Sequence, residues 1–168
     1  MYKVIFLLTA SILLFMTDAA VAQTQLGTDI DGEAASDQSG QSVSLSADGS
    51  RIAIGGSGNN GNDSNSGHVR IYDLSGGTWV QVGGDIDGEA ADDKSGISVS
   101  LSKDGSRVTI GGSGNDGNGS NSGHVRIYDL SGGTWVQVGG EIDGEAADDF
   151  FGIYGIPLQR RESGHNWW

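Results

Sequence analysis

The chain has 168 residues, with 9 Lys and Arg against 22 Asp and Glu, a formal net charge of −13. So large an acidic excess excludes nucleic acid and anionic membrane surfaces as partners, because phosphate contacts need clustered Lys and Arg. There is no Cys, which removes disulfides, Cys-ligated metals and thiol chemistry, and 30 Gly with one Pro, more than double the usual ~7% Gly, call for many turns and few long helices.

Residues 1–22 read as a secretory signal peptide. Lys3 is a short positive n-region, Val4 to Met16 is a nearly unbroken apolar run, and Ala20-Val21-Ala22 is an A-x-A cleavage site. An N-terminal membrane anchor is the alternative, but the run has 13 residues and a span needs ~20. The mature chain is therefore expected to start at Gln23. Cleavage removes Lys3 and Asp18 and leaves the charge at −13. No later segment is apolar enough for a bilayer, so the protein is expected to be secreted, extracellular or on the cell surface.

From Gln23 the chain is built on a 56-residue internal repeat. Ile30, Ile86 and Ile142 lie in the same local sequence, and Ser64–Gly84 is identical to Ser120–Gly140. The first unit covers 23–83, the second 84–139, and a third starts at 140. In the first unit, Ser42–Ser46 alternates apolar and polar residues as a half-buried strand does. Ala47-Asp48-Gly49-Ser50 is a tight turn, in which Asp48 can bond the backbone ahead and Gly49 supplies a positive φ. Arg51–Ile54 resumes the alternation with Ile52 and Ile54 on one face. A Gly-, Asn- and Ser-rich loop over 55–67 leads to a third strand, His68–Tyr72, and the turn Ser75-Gly76-Gly77 to a fourth, Thr78–Val82. The second unit repeats these strands at Ser98–Ser102, Arg107–Ile110, His124–Tyr128 and Thr134–Val138. The fold class is thus all-β, and four short antiparallel strands at a 40–60-residue period point to blades of a β-propeller. Two blades and the start of a third make an incomplete propeller, in which Trp79 and Trp135 fill the space between blades. A β-solenoid is the competing architecture, but its repeats are usually shorter and need no hairpins.

From about residue 150 the repeat gives way to a foreign tail holding the only Pro, Pro157, and a terminal Trp pair. Codons for Phe151 to Trp167 can be chosen so that the +1 frame reads SGYTVSLSSDGSRVTIG, which agrees with Ser95–Gly111 at 14 of 17 positions. A frameshift near codon 150 is the expectation, and a terminal cap is the alternative. On this reading the chain is a fragment of a longer repeat protein. Its open blade faces are expected to cause self-association.

The unit resembles the FG-GAP repeat of integrin α-chain propellers and of secreted bacterial proteins. The matching segments are Ser39-Gly40-Gln41-Ser42-Val43, Ile54-Gly55-Gly56-Ser57 and Gly67–Tyr72, and in the second unit Ser95–Val99, Ile110–Ser113 and Gly123–Tyr128. Ser stands where the family has Phe, and Gly-Ser where it has Ala-Pro. The resemblance implies a propeller used for adhesion. The family's calcium loop is reduced here to Asp48 and Asp104 in short turns. One carboxylate does not supply the 6–8 oxygens that Ca²⁺ takes, so that site does not transfer.

No constellation points to catalysis. Asp29, Asp31 and Glu33, echoed at Asp85, Asp87 and Glu89, read as a solvated inter-blade loop, and Asp92 and Asp93 as recurring loop acids. The loop Asn115–Ser122 alternates oxygen side chains, but the first unit displaces its acid to Asp63, beside Asn60, which a fixed ligand geometry would not tolerate. His68 and His124 recur at equivalent strand starts, which argues for structure, and neither neighbours a nucleophile in sequence. Gly55-Gly56-Ser57-Gly58 has no following helix or Lys, so it is not a phosphate loop. The expected protein is a non-enzymatic module binding extracellular protein or glycan. The alternative is part of a polysaccharide-acting propeller enzyme whose site lies in other blades. No catalytic, cofactor or metal residue is assigned, with calcium on the acidic loops the one alternative kept open.

Overall fold

The computed structural model describes residues 23–155, so the signal segment and the tail from 156 lie outside the described residues. Among these residues there is no helix, and two antiparallel sheets follow one another at the repeat period. The first holds β1 (Ser42–Leu45), β2 (Arg51–Gly56), β3 (His68–Ser75) and β4 (Thr78–Gln81), paired in chain order and completed by β5 (Ile86–Asp87). The second repeats the pattern with β6 (Ser95–Leu101), β7 (Arg107–Gly112), β8 (His124–Ser131), β9 (Thr134–Gln137) and β10 (Ile142–Asp143). All eight expected strands are present.

β5 and β10 correct the reading of the acidic run as a solvated loop. Val69 pairs with Ile86 and His68 with Asp87, on the edge of β3 that β4 has left. Each sheet therefore takes its fifth strand from the start of the next unit. Ile86 drives this, since its side chain is buried while Asp85 and Asp87 on either side stay exposed. Asp93 departs further from the expected loop acid, because it is buried. Its carboxylate accepts the amide hydrogens of Glu89 and Ala90 at 3.2 and 2.9 Å and the Asn115 side-chain amide at 3.3 Å. Buried charge is tolerated when its hydrogen bonds are made in this way. Asp37 does the same in the first unit, with the Ala34 amide and Asn59.

Cross-strand register sorts each sheet into two faces. In the first sheet Val43 pairs with Ile54 and Leu45 with Ile52, so these four share one face. Ala53, Ile71, Val69 and Ile86 share the other. In the second sheet the residues one repeat on from the first set are Val99, Leu101, Val108 and Ile110. They form a single core with Ala53, Val69, Ile71 and Ile86. The second face of one sheet therefore packs on the first face of the next. The outer first face, at Val43 and Leu45, and the outer second face, at Ile142, are left exposed.

Three contacts lock the sheets together, and the first two repeat with the chain. Ser42 Oγ donates to Gly96 O at 2.7 Å, and Ser98 Oγ to Gly152 O at the same distance. The approach is so close that a Cβ on Gly55 would lie 2.1 Å from Gly96 O, so only glycine fits there. Trp135 Nε1 donates to Val82 O at 2.9 Å and lies over Gly83, as Trp79 donates to Leu26 O at 3.2 Å and lies over Gly27. Arg51 pairs with Asp73 and also donates to Gly105 O of the second sheet at 2.8 Å, with its guanidinium 6.0 Å from the Trp135 ring.

The repeat backbone runs on past the place where the letters change. Phe151 N donates to Ser122 O at 2.9 Å, as Ser95 N does to Ser66 O, and Ile153 N reaches Phe150 O as Ile97 N reaches Lys94 O. These are main-chain bonds, so they survive altered side chains provided position 152 stays Gly, whose φ is +84° against +82° at Gly96.

Candidate functional site

Two side-chain clusters, one repeat apart, gather the chemistry of the molecule. The first is Glu33, His68 and Asp85, and the second is Glu89, His124 and Glu141, with the donor atoms of each within 4.8 Å of one another. Each draws on three segments. A Glu comes from the acidic stretch that opens a unit, His68 or His124 is the first residue of β3 or β8, and the second acid precedes β5 or β10. The pairing of β5 to β3 brings the opening of the next unit alongside the histidine, which is why residues distant in sequence meet.

His68 is 1% exposed, and its Nδ1 makes no hydrogen bond. It faces Asp85 Oδ2 at 3.7 Å and Glu33 Oε2 at 3.8 Å. The other Glu33 oxygen faces Arg70 at 3.5 Å, and Arg70 is held by a bond to Asp31 O at 2.9 Å and lies 5.7 Å from the Tyr72 ring. In the second cluster the longer Glu141 reaches His124 Nδ1 at 3.2 Å. Arg126 faces Glu89 at 3.4 Å, donates to Asp87 O at 2.8 Å and lies 5.7 Å from the Tyr128 ring. Burial raises the Glu89 carboxyl above its usual range, and a hydrogen bond with Glu141 raises it further. Burial opposes ionisation of Glu141 as well, but its hydrogen bonds with Glu89 and His124 hold it below the usual range. Glu89 is thus the better proton holder of a carboxylate pair that shares one site. Burial also raises Asp87, with the Asp85 charge adding to it.

The sequence places His68 and His124 correctly at strand starts, and their burial fits a structural part. What the sequence alone misses is the acids beside them. Asp29 and Asp31 do not join a cluster, whereas Glu33, Asp85 and Glu89 do. The alternating loop is also accounted for. Asn115 Oδ1 accepts the Gly117 amide, Asp116 accepts the Asn121 amide, and Asn118 donates to Gly144 O and Glu145 O. Its oxygens brace the loop rather than converge on a point. Asn62 makes the matching bond to Gly88 O at 2.9 Å. Asp48 and Asp104 likewise serve their turns, with Ser46 and Ser50, or Ser102 and Ser106, bonded to one carboxylate.

No helix among the described residues is long and apolar enough to cross a membrane. Compared with protein-family models and with curated proteins, the chain matches none.

Proposed function

We propose that this chain is a secreted, non-catalytic repeat module of the FG-GAP-like β-propeller type, which binds extracellular protein or glycan through its inter-strand loops. One observation carries the reading: the first sheet packs its second face on the first face of the second sheet, and the Ser42–Gly96 and Trp135–Val82 contacts of that interface have counterparts one repeat away at Ser98–Gly152 and Trp79–Leu26. A unit that buries neither face alone must be one of a stack. The resemblance of Ser95–Val99 and Gly123–Tyr128 to the FG-GAP pattern supplies the adhesive role, and loops on a repeated scaffold are where such modules carry specificity. The outer faces complement one another, so further units, whether of a longer chain or of other copies, would cover them by the contact already made between β1–β5 and β6–β10.

The test incubates the mature protein with immobilised extracellular polysaccharides and matrix proteins, while reducing ends are measured in parallel. Saturable retention on a defined ligand with no new reducing ends supports the module. Release of reducing ends by the purified chain would assign catalysis to it and overturn the reading.

A further inference from the structure

The residues at β3 and β8 point to a function that the scaffold reading does not need. We propose that Glu33, His68 and Asp85 together bind one divalent first-row transition-metal ion, with Zn²⁺ as the reference, and that Glu89, His124 and Glu141 bind a second. An ion held this way ties the opening of one unit to that of the next.

The argument starts from His68. A buried ring nitrogen without a partner is costly, and in folded proteins such atoms are generally satisfied. Nδ1 of His68 is buried and unpartnered, and it points at two carboxylate oxygens 3.7 and 3.8 Å away. A tetrahedral shell of Zn–N and Zn–O bonds of ~2.0–2.1 Å sets its donors about 3.3–3.4 Å apart. The two edges from His68 Nδ1 therefore need to close by only a few tenths of an ångström, and all three donor atoms already lie within 4.8 Å of one another. In the second cluster the His124–Glu141 edge is already 3.2 Å. There a metal would take the place of the hydrogen bond between the two groups.

The surroundings favour the same arrangement. Arg70 holds one Glu33 oxygen and leaves the other facing the histidine, and Arg126 does this for Glu89, so each carboxylate is oriented from outside the site. Two carboxylates beside a single guanidinium and an imidazole offer more anionic than cationic groups, which favours a cation. The side chains of Glu33 and Glu89 are about half exposed, so an ion can enter from solvent and water can fill the remaining position. The donor set selects among ions. An imidazole nitrogen with two carboxylates suits zinc and its neighbours, whereas Ca²⁺ takes 6–8 oxygens. All three positions recur 56 residues apart with donors kept, Asp85 becoming Glu141. Two equivalent sites are thus expected.

The experiment uses the full mature chain, stripped with EDTA and dialysed, titrated with ZnCl₂ by calorimetry and followed by thermal melting. The expected result is two equivalents per chain and a rise in Tm, with CaCl₂ causing neither. Asp85→Asn should remove one equivalent and Glu89→Gln the other, and together they should remove both. These side chains are partly exposed, so the variants are expected to fold. Independently of any variant, imidazole ¹⁵N spectra of the unsubstituted chain should show the Nδ1 resonances of His68 and His124 moving on addition of zinc. Zinc uptake unchanged by both substitutions, or Nδ1 resonances that do not move at saturating zinc, would overturn the proposal.

Discussion

Val43 and Val99 occupy the same place in successive repeats, yet Val43 is 59% exposed and Val99 is 8% exposed. Leu45 and Leu101 differ in the same sense, at 57% and 6%, and Ile86 and Ile142 in the opposite one, at 6% and 47%. Local sequence is the same within each pair, so the difference comes from what lies across the face. Among the described residues the first sheet has no sheet before it, and the second no sheet after it. An internal repeat thus supplies its own control, with one copy of each residue inside an interface and one outside.

This pairing sets the first prediction. Leu101→Ala removes a buried side chain from the core and is expected to cost about 2–5 kcal/mol. Leu45→Ala, one repeat earlier, should change stability by less than about 0.5 kcal/mol when the protein is dilute. Urea melts of the two variants measure both numbers. Equal losses would mean that Leu45 is covered in solution.

Gly55 provides the second. Its missing Cβ leaves room for Gly96 O, and the added atom in Gly55→Ala would lie 2.1 Å from that oxygen. The sheets must then separate locally, at about 1–3 kcal/mol by analogy with overpacked cores. Gly84→Ala meets nothing within 4 Å and lies outside the left-handed region, so it is the matched control and should be close to neutral.

Much of this architecture is legible in the sequence. The alternation in Ser42–Leu45 and Arg107–Ile110 yields strands because side chains alternate across a pleat, and Asp48-Gly49 yields a turn because those residues have few other uses. Other features are not legible. Ile86–Asp87 is too short for periodicity, and its acids suggest solvent, so its strand character follows only from the free edge of β3. Asp93 is buried because backbone amides close around it, which composition does not reveal. The His–carboxylate clusters need Glu33, His68 and Asp85 brought together from three segments. One signal was available: all three recur at the repeat distance.

The turn acids set a pH prediction. Hydrogen bonds from the Ser50 amide and from the Ser46 and Ser50 hydroxyls bring the Asp48 carboxyl down to about 2. Bonds from Ser102 and from the Ser106 amide and hydroxyl do the same for Asp104. A carboxyl lowered on folding contributes stability that is present above its unfolded value, near 3.8, and is lost as pH falls towards about 2. Carboxyl-detected NMR titration should find both groups ionised at pH 3. Asp48→Asn should flatten part of the acid limb of the stability curve. Ordinary pKa values at both positions would contradict the turn geometry.

The central claim is that the open faces at Val43 and Leu45 and at Ile142 complement one another. Sedimentation velocity of the mature chain over a range of concentrations tests it most directly, with Leu45→Asp alongside. The account predicts species larger than a monomer that grow with concentration, and their loss in the variant without loss of the fold. A single monomeric species at every concentration, melting cooperatively and indistinguishable from the variant, would contradict it.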